Sequence, residues 1–61
     1  MDSGHWVQLT LSDGKEVYVN LARVVAIEHH EGGSIVRFSR QEGNRLIVVE
    51  KPLEILKEPK L

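Results

Sequence analysis

Cysteine is absent from this chain, and disulfide bridges and thiolate metal centres are excluded with it. Long apolar runs are absent too: nothing approaches the ~20 consecutive apolar residues that a membrane-spanning helix requires. One Trp, one Tyr and one Phe are the only aromatic residues, so a core must come mostly from Val, Ile and Leu. Neither sign of charge dominates, with eight Lys and Arg against nine Asp and Glu. Nucleic-acid affinity comes largely from cancelling phosphate charge, so this balance disfavours a dedicated nucleic-acid binder. The opening "MDSGHWVQ" has no basic start and no apolar stretch, unlike a signal peptide. A cytoplasmic protein without a membrane partner is the expectation.

Catalytic signatures are missing as well. There is no Cys nucleophile and no Ser flanked by the glycines of an elbow; Ser12, Ser34 and Ser39 sit at turns or strand ends. Glu28, Glu31, Glu42 and Glu50 lie near Arg or Lys, as on a solvated surface. Gly32-Gly33 lacks the helix and lysine of a phosphate loop. A small meander also has little room for a concave pocket. These absences predict a non-enzyme with no catalytic residue, no cofactor and no small-molecule substrate.

What is present is a run of short β-forming segments. Sixty-one residues make one domain, 1–61, and a chain this short buries only ~60% of its unfolded surface. Five segments read as strands: His5–Leu11, Glu16–Asn20, Val24–His30, Ser34–Ser39 and Arg45–Val49. In the first, Val7, Leu9 and Leu11 alternate with Trp6, Gln8 and Thr10. A two-residue Asp13-Gly14 loop would pair Leu9 with Tyr18 and send one apolar set to the wrong face. A three-residue Ser12-Asp13-Gly14 loop instead pairs Leu9 with Val17 and Val7 with Val19, with Gly14 left-handed. By the same test, a Gln41-Glu42-Gly43 loop pairs Phe38 with Leu46, Val36 with Val48 and Ile35 with Val49.

"IEHHEGGS", residues 27–34, raises the question of a metal site. Gly32-Gly33 suits a two-residue type I′ loop, which pairs Glu28 with Arg37 and Ile27 with Phe38. His29 and His30, being adjacent on a strand, then point to opposite faces and cannot grip one ion. A zinc site needs three or four converging ligands, and His5 is the only other histidine. No metal site is expected, and the stretch reads as a turn.

Asn20 suits a cap for one helical turn over Leu21–Arg23. Pro52 suits the first position of a terminal helix, about 52–58, with Leu53 and Leu56 on one side and Ile55 turned away. About two turns of helix cannot stand alone and must dock. The expected fold is therefore mainly β: a five-stranded antiparallel meander curled towards a small barrel, with a short C-terminal helix.

Two features point to partners. Ile35, Ile47 and Val49 share a face opposite Leu46 and Val48, with Trp6 and Tyr18 on the corresponding face of the first hairpin. A single-layer sheet should not leave such residues wet, so either the terminal helix or another chain covers them. Self-association, or another protein partner, is the favoured expectation. The competing one is a nucleic-acid interface built from Arg37, Arg40, Arg45 and Lys51, against a solubilising role beside Glu28 and Glu42.

"VQLTLSDGKEVYVNLARVVAIE" and "VVEKPLEIL" together resemble the small bacterial flagellar and swarming motility (FlbD-like) family. The matching residues are Leu9, Thr10, Asp13, Gly14, Tyr18, Asn20, Ile27, Glu28, Val49 and Glu50. The resemblance runs along nearly the whole chain, through strand and turn residues. It departs at Leu21, where the family usually has Pro, and at the longer "RQEGNR" turn. It implies an accessory role in motility-gene regulation or assembly, without enzyme chemistry.

Overall fold

The structure, a computed structural model, describes residues 5–39 and 43–61. Among these, five strands form: β1 (Trp6–Thr10), β2 (Glu16–Asn20), β3 (Ala26–His30), β4 (Gly33–Arg37) and β5 (Arg45–Val48). One helix, α1 (Pro52–Lys57), follows. The fold is mainly β, with antiparallel pairing in both sheets.

β1 and β2 pair in the register that alternation demands, with Val7 opposite Val19, Gln8 opposite Tyr18 and Leu9 opposite Val17. Gly14 makes the turn possible at φ +95°, where a Cβ would be strained, and Asp13 Oδ1 accepts from the Lys15 N–H at 3.0 Å. Asn20 caps a single 3₁₀ turn, Leu21–Arg23, by accepting from the Ala22 N–H at 3.0 Å.

The single meander does not form. β1–β2 is one sheet and β3–β4–β5 another, and β2 does not pair with β3. The two sheets meet instead where Leu11 bridges Val48 antiparallel. There the Ser12 N–H donates to the Ile47 carbonyl and the Val49 N–H to the Thr10 carbonyl, both at 2.9 Å. The resulting neighbour order, β2-β1-β5-β4-β3, is antiparallel at every contact, so β2 and β3 run the same way. Parallel neighbours need a crossover of roughly a dozen residues or more. Only residues 21–25 separate these two strands, and the seam between them stays open.

The β3–β4 hairpin is slipped by two residues from the expected register. Glu28 faces Ile35, Ile27 faces Val36 and Ala26 faces Arg37, rather than Glu28–Arg37 and Ile27–Phe38. The loop is Glu31-Gly32, with Glu31 at φ +53°, and Gly33 belongs to β4. The reason lies outside the hairpin. A Cβ on Gly33 would strike the Val48 carbonyl oxygen and sit 3.0 Å from Val49 backbone atoms. Gly33 is where β5 passes close, so it is spent on packing and the turn falls one residue earlier.

β4 and β5 show the same two-residue offset: Val36 faces Leu46, Ser34 faces Val48 and Ile35 faces Ile47, rather than Phe38–Leu46, Val36–Val48 and Ile35–Val49. The ladder closes where the Phe38 N–H donates to the Asn44 carbonyl at 2.9 Å. Gly43 is left-handed, at φ +98°; Gln41 and Glu42 of the expected loop lie outside the described residues.

Val7, Leu9, Val19, Val36, Val48 and Ile55 form the core. α1 therefore docks by Ile55, which is fully buried, while Leu53 and Leu56 are 68% and 57% exposed. This reverses the side expected from the sequence. The link into the helix is tied to both sheets: Glu50 Oε1 accepts from the Thr10 N–H at 3.0 Å, and buried Ser34 Oγ donates to the Glu50 carbonyl at 2.7 Å. The Glu54 carboxylate then takes the Lys51 N–H at 2.7 Å, closing the first turn. Beyond the helix, the Leu61 N–H reaches the Trp6 carbonyl at 2.8 Å. With both ends fastened, α1 can turn only one side inward, and that side carries Ile55.

Candidate interaction surface

Strand alternation puts Val36, Leu46 and Val48 against the core and sends Ile35, Ile47 and Val49 outward. Ile35 and Ile47 are direct cross-strand partners, both partly buried, and Val49 is 51% exposed. Because Ile55 joins the core on the opposite side, α1 does not cover this apolar stripe. Of the two covers that the sequence allowed, the terminal helix thus lies on the other side of the sheet.

The same outward face carries the arginines. Arg37 and Arg45 oppose each other directly across β4 and β5, one row from Ile35 and Ile47. Arg37 also reaches diagonally to Glu28, with Nε 2.8 Å from Oε2 and Nη2 3.3 Å from Oε1. That charge-assisted fork holds the Glu28 carboxyl below its ordinary value, the hydrogen bond from Arg37 and its charge outweighing the opposing effect of desolvation. The ion pair anticipated from facing positions therefore forms, but between residues on neighbouring rows. Apolar stripe and arginines are two halves of one face, rather than two separate faces.

The remaining candidates are dispersed. Trp6 and Tyr18 point outward from β1–β2, 42% and 58% exposed, on the other sheet from the Ile35 stripe. Lys51 precedes α1, past the far end of β5 from Arg45, so the two do not share a patch. Arg40 lies outside the described residues. His29 and His30 pair with Ser34 and Gly33 and point to opposite faces. Among the described residues no three His, Asp or Glu side chains are grouped as metal ligands. None of the described helices is long and apolar enough to cross a membrane.

A further apolar surface had no place in the sequence reading. Leu21, Val24, Val25, Ala26, Ile27 and Leu56 line an open depression of about 360 Å³ beside the seam, and Val25 is 56% exposed. Adjacent Val24 and Val25 were the available signal, since an extended pair of neighbours cannot both face inward. A second depression, about 370 Å³, lies between the Glu31-Gly32 turn and Ile47–Val49. Both are shallow surface features. Comparison of the chain with known protein families, curated proteins and solved structures gave no match in any of the three.

Proposed function

We propose that this chain is a small non-enzymatic interaction module that self-associates through the outward face of β3–β4–β5. The observation that carries this reading is the outward stripe of partly buried Ile35 and Ile47 and exposed Val49, from which α1 is absent because it packs on the core side. A domain of this size gains stability from a second chain that it cannot gain from its own core. The expected curl towards a barrel belongs to the same reading, with the β1–β5 bridge as its support. The FlbD-like resemblance adds a setting, a bacterial cytoplasmic accessory in motility-gene regulation or assembly. Sedimentation equilibrium with and without Ile47→Glu tests the proposal. A dimer or larger species that Ile47→Glu dissociates supports it; a monomer in both forms ends it.

The juxtaposition of Arg37 and Arg45 favours a second reading, in which the arginine half of this face meets phosphate. Like charges directly across a ladder are unfavourable, and Glu28 offsets only one of the pair. A DNA or RNA titration at low salt that moves no NMR resonance dismisses this alternative.

A further inference from the structure

The open seam leaves two strand edges, and they are not equivalent. Because the Phe38 N–H bonds the Asn44 carbonyl, the even residues of β4 face β5 and the odd ones face β3. Ala26, Glu28 and His30 thus pair with Arg37, Ile35 and Gly33, and the Val25 N–H also turns into the sheet, donating to the Arg37 carbonyl at 2.9 Å. The N–H and C=O groups of Ile27 and His29 point away from the sheet. Edges are ordinarily blunted by Lys or Pro, and β3, "AIEHH", has neither. On β2, Val19 is already in the core and Val17 packs against it, so pairing there would bury little new apolar surface. Beside β3, by contrast, Val25 and Leu56 are more than half exposed.

We propose that a second copy of this chain pairs with β3 edge to edge, antiparallel about a two-fold axis at Ile27. The outward-pointing groups restrict where that axis can lie. At Glu28 it would set the carboxylate against its own copy. At His29 it would oppose Ile27 with Glu31 of the turn. At Ile27 it sets Glu28 against the second copy's Ala26, whose ladder neighbour is Arg37. Each carboxylate then lies between two guanidinium groups, and Val25 meets His29 through its carbonyl alone, its N–H being held by Arg37. Val25, Ile27 and Leu56 of both copies gather beside the shared edge, closing the two depressions against each other. The product is one six-stranded sheet. This contact uses neither Ile47 nor Val49, so it stands apart from the outward-face reading, and the two used together would extend an assembly beyond a dimer.

The test combines sedimentation equilibrium with amide hydrogen exchange at low and high protein concentration. The wild type is compared with His29→Pro, Val25→Lys and Ile47→Glu, each confirmed as folded by its dispersed NMR spectrum. His29→Pro deletes only an outward-pointing N–H, a place where edge strands accept Pro, and Val25→Lys alters an exposed side chain. Exchange at Ile27 and His29 should slow roughly tenfold or more on raising the concentration, in the wild type and in Ile47→Glu alike. His29→Pro and Val25→Lys should each abolish that slowing at Ile27. Exchange at one rate at every concentration overturns the proposal, as does association undiminished by both edge variants. Association lost in Ile47→Glu, with the Ile27 and His29 amides never protected, overturns this contact and leaves the outward-face reading in place.

Discussion

Replacing Ile55 with Ala probes how α1 is held. Ile55 is fully buried among Val7, Leu9, Val19, Val36 and Val48, whereas its helix neighbours Leu53 and Leu56 lie mostly in solvent. Truncating a buried Ile to Ala costs about 2–5 kcal/mol, the removed transfer energy plus the cavity left behind. A 61-residue domain has only ~3–9 kcal/mol of stability in total, at roughly 0.05–0.15 kcal/mol per residue. Ile55→Ala should therefore remove about a fifth of the stability or more. Each kcal/mol is worth about 4–8 °C in Tm at this size, so thermal melting by circular dichroism should fall by at least about 8 °C. Leu53→Ala and Leu56→Ala, at exposed positions, should each stay within about 0.5 kcal/mol of the wild type. The contrast carries the reasoning more than any single value. If Leu53→Ala or Leu56→Ala costs more than Ile55→Ala, α1 docks by its leucine side and the assignment of the core is wrong.

The two adjacent glycines should respond differently to the same change. Gly33→Ala puts a methyl group into the β5 backbone, where Gly32→Ala meets nothing within 4 Å. We expect Gly33→Ala to cost ~1–3 kcal/mol or more, as overpacking does, with the smaller loss at Gly32; equal urea midpoints for the two variants would refute the close approach. The Glu28–Arg37 pair should contribute stability above the ordinary carboxylate value and lose it as pH falls through the lowered native value. Glu28→Gln should accordingly flatten the dependence of the urea midpoint between about pH 5 and pH 3. A variant whose midpoint tracks the wild type in parallel through that window rules the linkage out.

Strand faces were legible in the sequence, while two of the three registers were not. Side chains alternate with period two, so a slip of two residues leaves each one on its expected face. Val36, Leu46 and Val48 point inward and Ile35 and Ile47 outward in either register. Alternation cannot see such a slip, and turn chemistry has to decide. Ser12-Asp13-Gly14 decided correctly because nothing beyond the hairpin competes for Gly14. Gly32-Gly33 misled because Gly33 answers to the backbone of Val48 and Val49, a long-range contact with no local signature. The helix was misread for a related reason. Leu53 and Leu56 form the larger apolar pair, but the fastenings at Glu50, Lys51 and Leu61 fix which side of α1 turns inward.

Knowing the faces was enough to find the stripe of Ile35, Ile47 and Val49, and too little to find the edge. The edge follows from strand parity, which the bridge between Leu11 and Val48 sets. A ring in which every neighbour is antiparallel needs an even number of strands. Five strands joined through that bridge must leave one seam whose flanking strands run parallel, and the short link at residues 21–25 cannot serve a parallel pair. Three apolar surfaces then compete for one small helix: the core, the outward stripe and the depression beside β3. α1 supplies Ile55 to the core, sets only Leu56 at the depression and packs away from the stripe. In the proposed assembly a second chain provides what the helix cannot, at the stripe and at the β3 edge alike.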